Sequence, residues 1–308
     1  MTNNFSLAIH GGAGTILRST MTLELQQQYE AGLQNALDAG YGILHAGGSS
    51  IDAVEAAVVS LEDFPLFNAG KGAVFNNIGG HEMDAAIMSG KGLEAGAVCG
   101  VSHVKNPVAL ARAIMDDSEH VLLCGQGAEQ FAKLRGLVFE DDAYFYVEQR
   151  YQQWQQALKE DRVQLDHSDK KFGTVGAVAL DKDGSLAAAT STGGMTNKKY
   201  GRMGDSPIPG AGTYANNNTC AISCTGHGEL FIRSVLAYDI SCLIEYKGLS
   251  LKEACDVVVY DKLVKIGGEG GLIAIDKHCN IEMPFNSEGM YRACRNSAGR
   301  NEVKIYND

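Results

Sequence analysis

The spacing of apolar residues changes twice within the first sixty positions. Phe5–His10 is a short, largely apolar run of the kind that forms a buried strand, and it leads into a glycine-rich turn, His10-Gly-Gly-Ala-Gly14. Leu25, Tyr29, Leu33, Leu37, Tyr41 and Leu44 then recur at steps of three and four, which predicts an amphipathic helix over 22–46, closed by Gly47-Gly48. Ser49-Ser-Ile-Asp52 is a capping pattern, and the Ala/Val-rich Ala53–Leu61 behind it reads as a second, closely packing helix.

Alternating runs follow. Met83–Met88 and Ala95–Val104, separated by Ser89-Gly-Lys-Gly92, read as a hairpin, and Pro107–Met115 and Gly127–Leu134 as short helices. From Glu140 to Asp169 the chain is polar and reads as a helix passing into an exposed linker, which ends in His167-Ser-Asp-Lys-Lys-Phe172. The pattern then changes abruptly. Thr174–Leu180 and Leu186–Thr192 are strands of small and β-branched residues joined by the turn Asp181-Lys-Asp-Gly184. A Gly/Asn-rich loop (201–218), a strand (Cys220–Thr225), helices at Glu229–Tyr246 and Leu251–Ile266, and a closing hairpin of Gly271–Ile275 and Ile281–Pro284 complete the order. Hairpins bracketed by helices predict an α+β protein with two stacked, largely antiparallel sheets and helices outside them.

Composition narrows the functional classes. In 308 residues, 26 Lys+Arg against 37 Asp+Glu give a net charge of −11, and the basic residues are scattered, so nothing is suited to a phosphate backbone and no nucleic-acid partner is expected. The apolar stretches are too short for a membrane span or a signal-peptide core, which points to a soluble cytoplasmic protein without a membrane partner. Eight cysteines at irregular spacing form neither a CxxC pair nor a zinc quartet, so reduced thiols packed in the core are expected, Cys220 and Cys224 included.

Several chemistries lack their signature. Gly125-Gln-Gly127 has no third glycine for a dinucleotide fingerprint, there is no P-loop, and His10-Gly-Gly is unaccompanied by a G-x-S-x-G nucleophile elbow. The eight histidines include no H-E-x-x-H pair. Attention therefore falls on Gly173-Thr174-Val-Gly-Ala-Val-Ala-Leu-Asp181, where a threonine stands between a polar linker and a buried strand. A threonine hydroxyl is a weak nucleophile unless a base lies beside it, and its own α-amino group serves once the preceding bond is cut. A free α-amino group, with pKa ~7.7–8, is partly neutral near physiological pH. On its own, Thr174 reads more readily as an ordinary strand residue.

Longer motifs alter that balance. Thr190-Ser-Thr-Gly-Gly-Met-Thr-Asn197, Gly201-Arg-Met-Gly-Asp-Ser-Pro207, Gly210-Ala-Gly-Thr-Tyr-Ala-Asn216 and Ser223-Cys-Thr-Gly-His-Gly-Glu229 resemble the plant-type asparaginase/isoaspartyl peptidase family of N-terminal-nucleophile hydrolases. So do His10–Gly14, Phe67-Asn-Ala-Gly70, Gly270–Asp276 and Pro284–Met290, and the likeness covers nearly the whole chain. It implies a four-layer αββα sandwich and a single domain, residues 1–308. It also implies a precursor that cuts itself between Gly173 and Thr174 into an α chain, 1–173, and a β chain, 174–308, and the pairing of two such αβ units into a dimer of αβ heterodimers. Thr174 would attack the side-chain amide of L-asparagine or the β-linked bond of an isoaspartyl dipeptide, and water would release aspartate from the acyl-enzyme.

The resemblance assigns further roles. Arg202 would take the substrate α-carboxylate and Asp205 its α-ammonium, Thr225 and the Gly226 N–H would supply the oxyanion donors, Thr192 would support the nucleophile, and Gly228 would let the backbone approach substrate. Without it, Arg202 reads as a loop cation and Thr192 as a strand-end hydroxyl. The 61–71 segment resembles the family's sodium loop, in which carbonyls of Leu61, Glu62, Phe64, Phe67, Ala69 and Lys71 would ring a structural Na⁺, with Asn68 approaching the nucleophile; the plain alternative is a Pro-containing turn. No catalytic cofactor is implied. His227 finds no role, and Lys170-Lys171-Phe172 and Lys199-Tyr200 are not distinctive family residues. Two alternatives stay open: a glycosylasparaginase sharing the same nucleophile, and an unprocessed, non-enzymatic relative that binds small amino acids.

Overall fold

A computed structural model describes residues 4–160 and 173–307. In chain order its elements are β1 Ser6–Gly14, α1 Leu23–His45, α2 Ser50–Glu62, β2 Met83–Ser89, β3 Ala95–Val101, α3 Pro107–Asp117, β4 Leu122–Cys124, α4 Gly125–Leu134, α5 Asp142–Phe145 and α6 Glu148–Lys159. After the linker come β5 Val175–Leu180, β6 Leu186–Thr192, β7 Thr213–Ala215, β8 Cys220–Gly226, α7 Gly228–Ser234, α8 Leu236–Lys247 and α9 Leu251–Asp256, the last continuing through a π-helical turn, Val257–Lys262. β9 Gly270–Asp276, β10 Ile281–Glu282, β11 Gly289–Asn296 and β12 Asn301–Lys304 complete the description.

Capping sets where the first helices start. The hydroxyl of Thr22 accepts from Leu25 N and that of Ser49 from Asp52 N, each satisfying a backbone donor that a helix end leaves open. The strands assemble into two sheets, one in the order β12-β11-β1-β5-β6-β2-β3-β4 and one in the order β10-β9-β8-β7. Pairing is antiparallel except between β3 and β4.

Strand periodicity explains why the central strands are apolar throughout. On β5, Ala177 and Ala179 face a core shared with Leu33 and Leu37 of α1 and Val54, Ala57 and Val58 of α2, while Val178 and Leu180 face a second core with Ile222 of β8 and Ile273 and Ile275 of β9. Both faces of the larger sheet are covered, so period-two alternation places apolar residues at every position. Each fully buried Leu, Ile or Val contributes roughly 1.5–3 kcal/mol. α8 and α9 pack against the smaller sheet. Among the described residues, no helix is long and apolar enough to cross a membrane. All eight cysteines are free, Cys220 and Cys224 both buried.

Four expectations need correction. The Gly-rich turn at His10–Gly14 is strand: β1 runs through it with a bulge between His10 and Gly12, because glycine is needed there for close packing rather than turning, and a Cβ on Gly11 would lie 2.3 Å from the Phe67 ring. The helix over Glu229–Tyr246 is broken at Val235, whose φ of 47° separates α7 from α8. The 201–218 loop contains β7. The Gly271–Pro284 hairpin does not end the fold, since β11 and β12 follow and β11 pairs with β1. The polar stretch after Glu140 forms α5 and α6, while the linker residues 161–172, Lys170-Lys171-Phe172 among them, lie outside the described residues.

Candidate active site

The start of β5, the ends of β6 and β8 and the start of α7 converge on one pocket. Gly173, Thr174, Thr192, Gly194, Met195, Arg202, Gly204, Asp205, Ser206, Gly226 and Gly228 line it. The antiparallel pairing of β5 with β6 is responsible: with Val175 opposite Ser191, Thr174 falls beside Thr192 at the strand ends.

Thr174 is almost fully buried and precedes the first ladder residue of β5. Its hydroxyl donates to Thr192 Oγ1 at 3.3 Å, Thr192 Oγ1 donates to the Gly173 carbonyl at 2.9 Å, and Gly194 N donates to Thr192 Oγ1 at 3.0 Å. Asn68 Nδ2 donates to the same Gly173 carbonyl at 2.9 Å and to Gly194 O at 2.8 Å. Two donors therefore converge on the carbonyl oxygen next to the Thr174 hydroxyl. This is the arrangement that stabilises negative charge if that carbonyl is attacked. On the other side of the residue, the Thr174 carbonyl lies 3.1 Å from His10 Nδ1.

Arg202 and Asp205 line the same pocket. Asp205 is buried and its Oδ2 has no hydrogen-bond partner. Burial pushes its carboxyl up to about 7, against the opposing pull of its backbone hydrogen bond and the Arg202 charge. Arg202 makes a two-pronged pair with Glu229, Nε to Oε1 at 2.8 Å and Nη2 to Oε2 at 2.7 Å. The two N–H groups of Nη1 and one of Nη2 are not part of that fork. Gly228 makes room for these two residues: a Cβ there would lie 2.8 Å from Arg202 Nη2 and 3.1 Å from Asp205 N.

Thr225 and Asn68 stand outside the pocket lining. Thr225 is buried at the end of β8, and its Oγ1 accepts from Ala13 N at 3.2 Å, which leaves the hydroxyl proton to point elsewhere. The 61–71 segment folds back on itself. Gly70, with φ 52°, approaches so closely that a Cβ would lie 2.5 Å from Glu62 O. The carbonyls of Leu61, Phe64, Phe67 and Ala69 accept backbone N–H groups in and just after the loop, Leu61 O from both Asp63 N and Phe64 N, and Lys71 Nζ points away, 5.0 Å above the Tyr144 ring. Neutral carbonyl oxygens are donors of the kind a hard cation takes, and among the described residues no group of three or more His/Cys/Asp/Glu is placed to hold a metal ion.

Three features escape sequence reasoning. Glu62 does more than offer its carbonyl: its side chain is fully buried, accepts from Ser191 Oγ at 2.6 Å and Val108 N at 3.0 Å, and burial pushes it up to about 8. Glu229 pairs with Arg202, and the hydrogen bond from His227, followed by that from Arg202, holds its carboxyl far below the usual range. His227 thus belongs to the rim of the pocket, Nε2 standing 3.2 Å from Glu229 Oε2. Buried Lys198 lies 3.9 Å from Asp84, the register partner of Thr192. The one available signal was proximity in sequence, since Glu229 adjoins Gly228 and Lys198 follows the 190–197 motif.

A family model described as asparaginase matches residues 3–305. The chain is 55% identical to the isoaspartyl peptidase of Escherichia coli K12, over 93% of this chain and 91% of that protein. It is 44% identical to the human isoaspartyl peptidase/L-asparaginase, over 88% and 86% of the two chains. It is 39% identical to a probable isoaspartyl peptidase/L-asparaginase of Arabidopsis thaliana, over 98% and 99%.

Proposed function

Because the chain belongs to the asparaginase family, we propose that the pocket at Thr174 is the active site of an N-terminal-threonine amidohydrolase that matures by cutting its own Gly173–Thr174 bond. The protein is a hydrolase of isoaspartyl peptides and L-asparagine. The observation that carries the assignment of the site is the Thr174 hydroxyl lying beside a carbonyl held by both Asn68 and Thr192, in the same pocket as Arg202 and Asp205.

In maturation, Thr174 Oγ1 attacks the Gly173 carbonyl carbon. Asn68 Nδ2 and Thr192 Oγ1 hold the developing oxyanion, the peptide C–N bond breaks, and the Thr174 nitrogen leaves as an amine, taking up the proton that Oγ1 gives up. Water then hydrolyses the ester, giving an α chain of 1–173 and a β chain of 174–308. The freed amine, with an unperturbed pKa of ~7.7–8, takes the proton of Thr174 Oγ1 in the next reaction. Oγ1 attacks the β-carbonyl of the substrate, the oxyanion is met by the Thr225 hydroxyl and the Gly226 N–H, and the protonated amine gives its proton to the leaving ammonia or amine. Water releases aspartate by the same route. Arg202 and Asp205 hold the α-carboxylate and α-ammonium, which fixes the β-carbonyl over the nucleophile.

The finer architecture follows the same reading. Helices on the outer faces of two apposed sheets correspond to a single αββα domain. The carbonyls of Leu61, Glu62, Phe64, Phe67, Ala69 and Lys71 would hold a structural Na⁺ that fixes the loop carrying Asn68. Two αβ units pair in a cytoplasmic enzyme, for which sedimentation should give twice the mass of one chain.

The test is hydrolysis of β-aspartyl-leucine, L-asparagine and N-acetylglucosaminyl-asparagine by purified protein. Turnover of the first two is expected. Preference for the glycosylated substrate would favour a glycosylasparaginase, and turnover of none would overturn the assignment.

A further inference from the structure

Gly176 stands two residues beyond the nucleophile, opposite His10 of β1. A Cβ on it would lie 2.0 Å from Ser223 Oγ and 2.5 Å from His10 Nε2. The space a side chain would need is filled by the hydrogen bond between that imidazole and that hydroxyl, 2.9 Å long, which ties β1 to β8 across β5. The His10 ring is completely buried, and its other nitrogen, Nδ1, meets the Thr174 carbonyl at 3.1 Å.

The proton positions follow from the partners. A carbonyl only accepts, so Nδ1 carries the proton. Burial pulls the imidazole down to about 3, so the ring is neutral and Nε2 is an acceptor. Ser223 must then donate to Nε2. Its oxygen is met by Thr190 Oγ1 at 2.6 Å, and Thr190 by Thr213 Oγ1 at 2.6 Å, so a row of hydroxyls supplies the donors that fix the tautomer.

We propose that His10 is a positioning residue for the hydrolytic reaction, its Nδ1–H holding the Thr174 carbonyl and so fixing the backbone of the nucleophile after cleavage. The proposal rests on Thr174 being the nucleophile. Before cleavage, Thr174 is tethered on both sides, with Gly173 O held by Asn68 and Thr192. Cleavage removes the tether on the amino side. The direction of the amine and Oγ1 then depends on the carbonyl side, where His10 and the β5 ladder remain. No step of the chemistry uses the His10 ring itself.

The experiment compares mature wild type with His10→Phe and His10→Asn for cleavage on a gel, melting temperature, and kcat and KM on β-aspartyl-leucine. His10→Phe should lower kcat by about 10–100-fold, the cost of a small misplacement, with KM little changed. His10→Asn, whose amide N–H reaches the place of Nδ1, should recover most of the loss. Wild-type kcat in His10→Phe, or equal losses in both variants, would overturn the proposal. If the His10 variants do not fold or cut, Ser223→Ala decides: it keeps the ring but removes the donor to Nε2, and kcat should fall at least about threefold at unchanged KM. Unchanged kcat there would overturn it. Activity surviving in Thr174→Ala would instead refute the nucleophile, a separate failure.

Discussion

Replacing Arg202 by alanine tests the reading of the substrate head. In the free protein two of its five N–H groups are committed to Glu229, so a substrate α-carboxylate bound there would meet the remaining face of a guanidinium already oriented by that fork. Truncating one partner of a desolvated charge pair costs ~2–5 kcal/mol. The Arg202 side chain is 19% exposed, and Glu229 and His227 stay at the rim, so the lower end applies. A loss of about 2–3 kcal/mol divides kcat/KM by about 30–150. Arg202→Lys should restore only part of it, because an ammonium cannot bond Glu229 and the substrate through one planar fork. Autocleavage should proceed in both variants, since the Gly173–Thr174 bond offers no free α-carboxylate. The assay is steady-state release of leucine from β-aspartyl-leucine beside a denaturing gel of the same samples. Undiminished kcat/KM in the alanine variant, or an uncut precursor, would refute the assignment.

Asn68→Ala and Thr192→Val each remove one donor to the Gly173 carbonyl, and each should slow autocleavage by roughly 10²–10³, measured as loss of the precursor band with time; normal rates in both would dismiss that oxyanion site. Asp205 is raised in the folded state to about 7, so its contribution to stability is full below the unfolded carboxylate value and is lost as pH rises through about 7, while holding a substrate ammonium, the role proposed for it, would need the ionised form. KM for asparagine should therefore climb as pH falls below about 7, and Asp205→Asn should raise KM and flatten the profile; a KM flat from pH 8 to 5 in wild type would contradict this. If carbonyls of the 61–71 loop hold Na⁺, exchange into a bulky organic cation should lower the melting temperature, and an unchanged melt would argue for a bare turn.

What the sequence disclosed is what local pattern encodes. α1 and α2 are legible because their stripes and the Thr22 and Ser49 caps lie within one stretch of chain, and the β5–β6 hairpin because Asp181 accepts from Asp183 N and Ser185 N to make its turn. β11 was missed because its pairing with β1 joins residues nearly the whole chain apart, and Gly-Met-Tyr-Arg-Ala-Cys-Arg-Asn alternates poorly by itself. The His10–Gly14 stretch misled for a related reason: its glycines answer to the Phe67 ring, which the local sequence does not show. At the site, motif likeness pointed to Thr174, Thr192, Arg202 and Asp205, all of which line one pocket. The Glu229 fork, the buried Glu62 carboxyl and the His10–Ser223 bond depend on side chains meeting across separate elements, and no spacing announces them.

Self-cleavage is the step on which everything else depends, and intact mass with N-terminal sequencing of purified protein reads it directly. Two species of about 18 and about 14 kDa are expected from the 32.8 kDa chain, the smaller beginning at Thr174, with Thr174→Ser still cutting and Thr174→Ala remaining a single folded precursor. A wild-type chain that stays whole while hydrolysing asparagine, or a Thr174→Ala variant cut at the normal rate, would contradict the account.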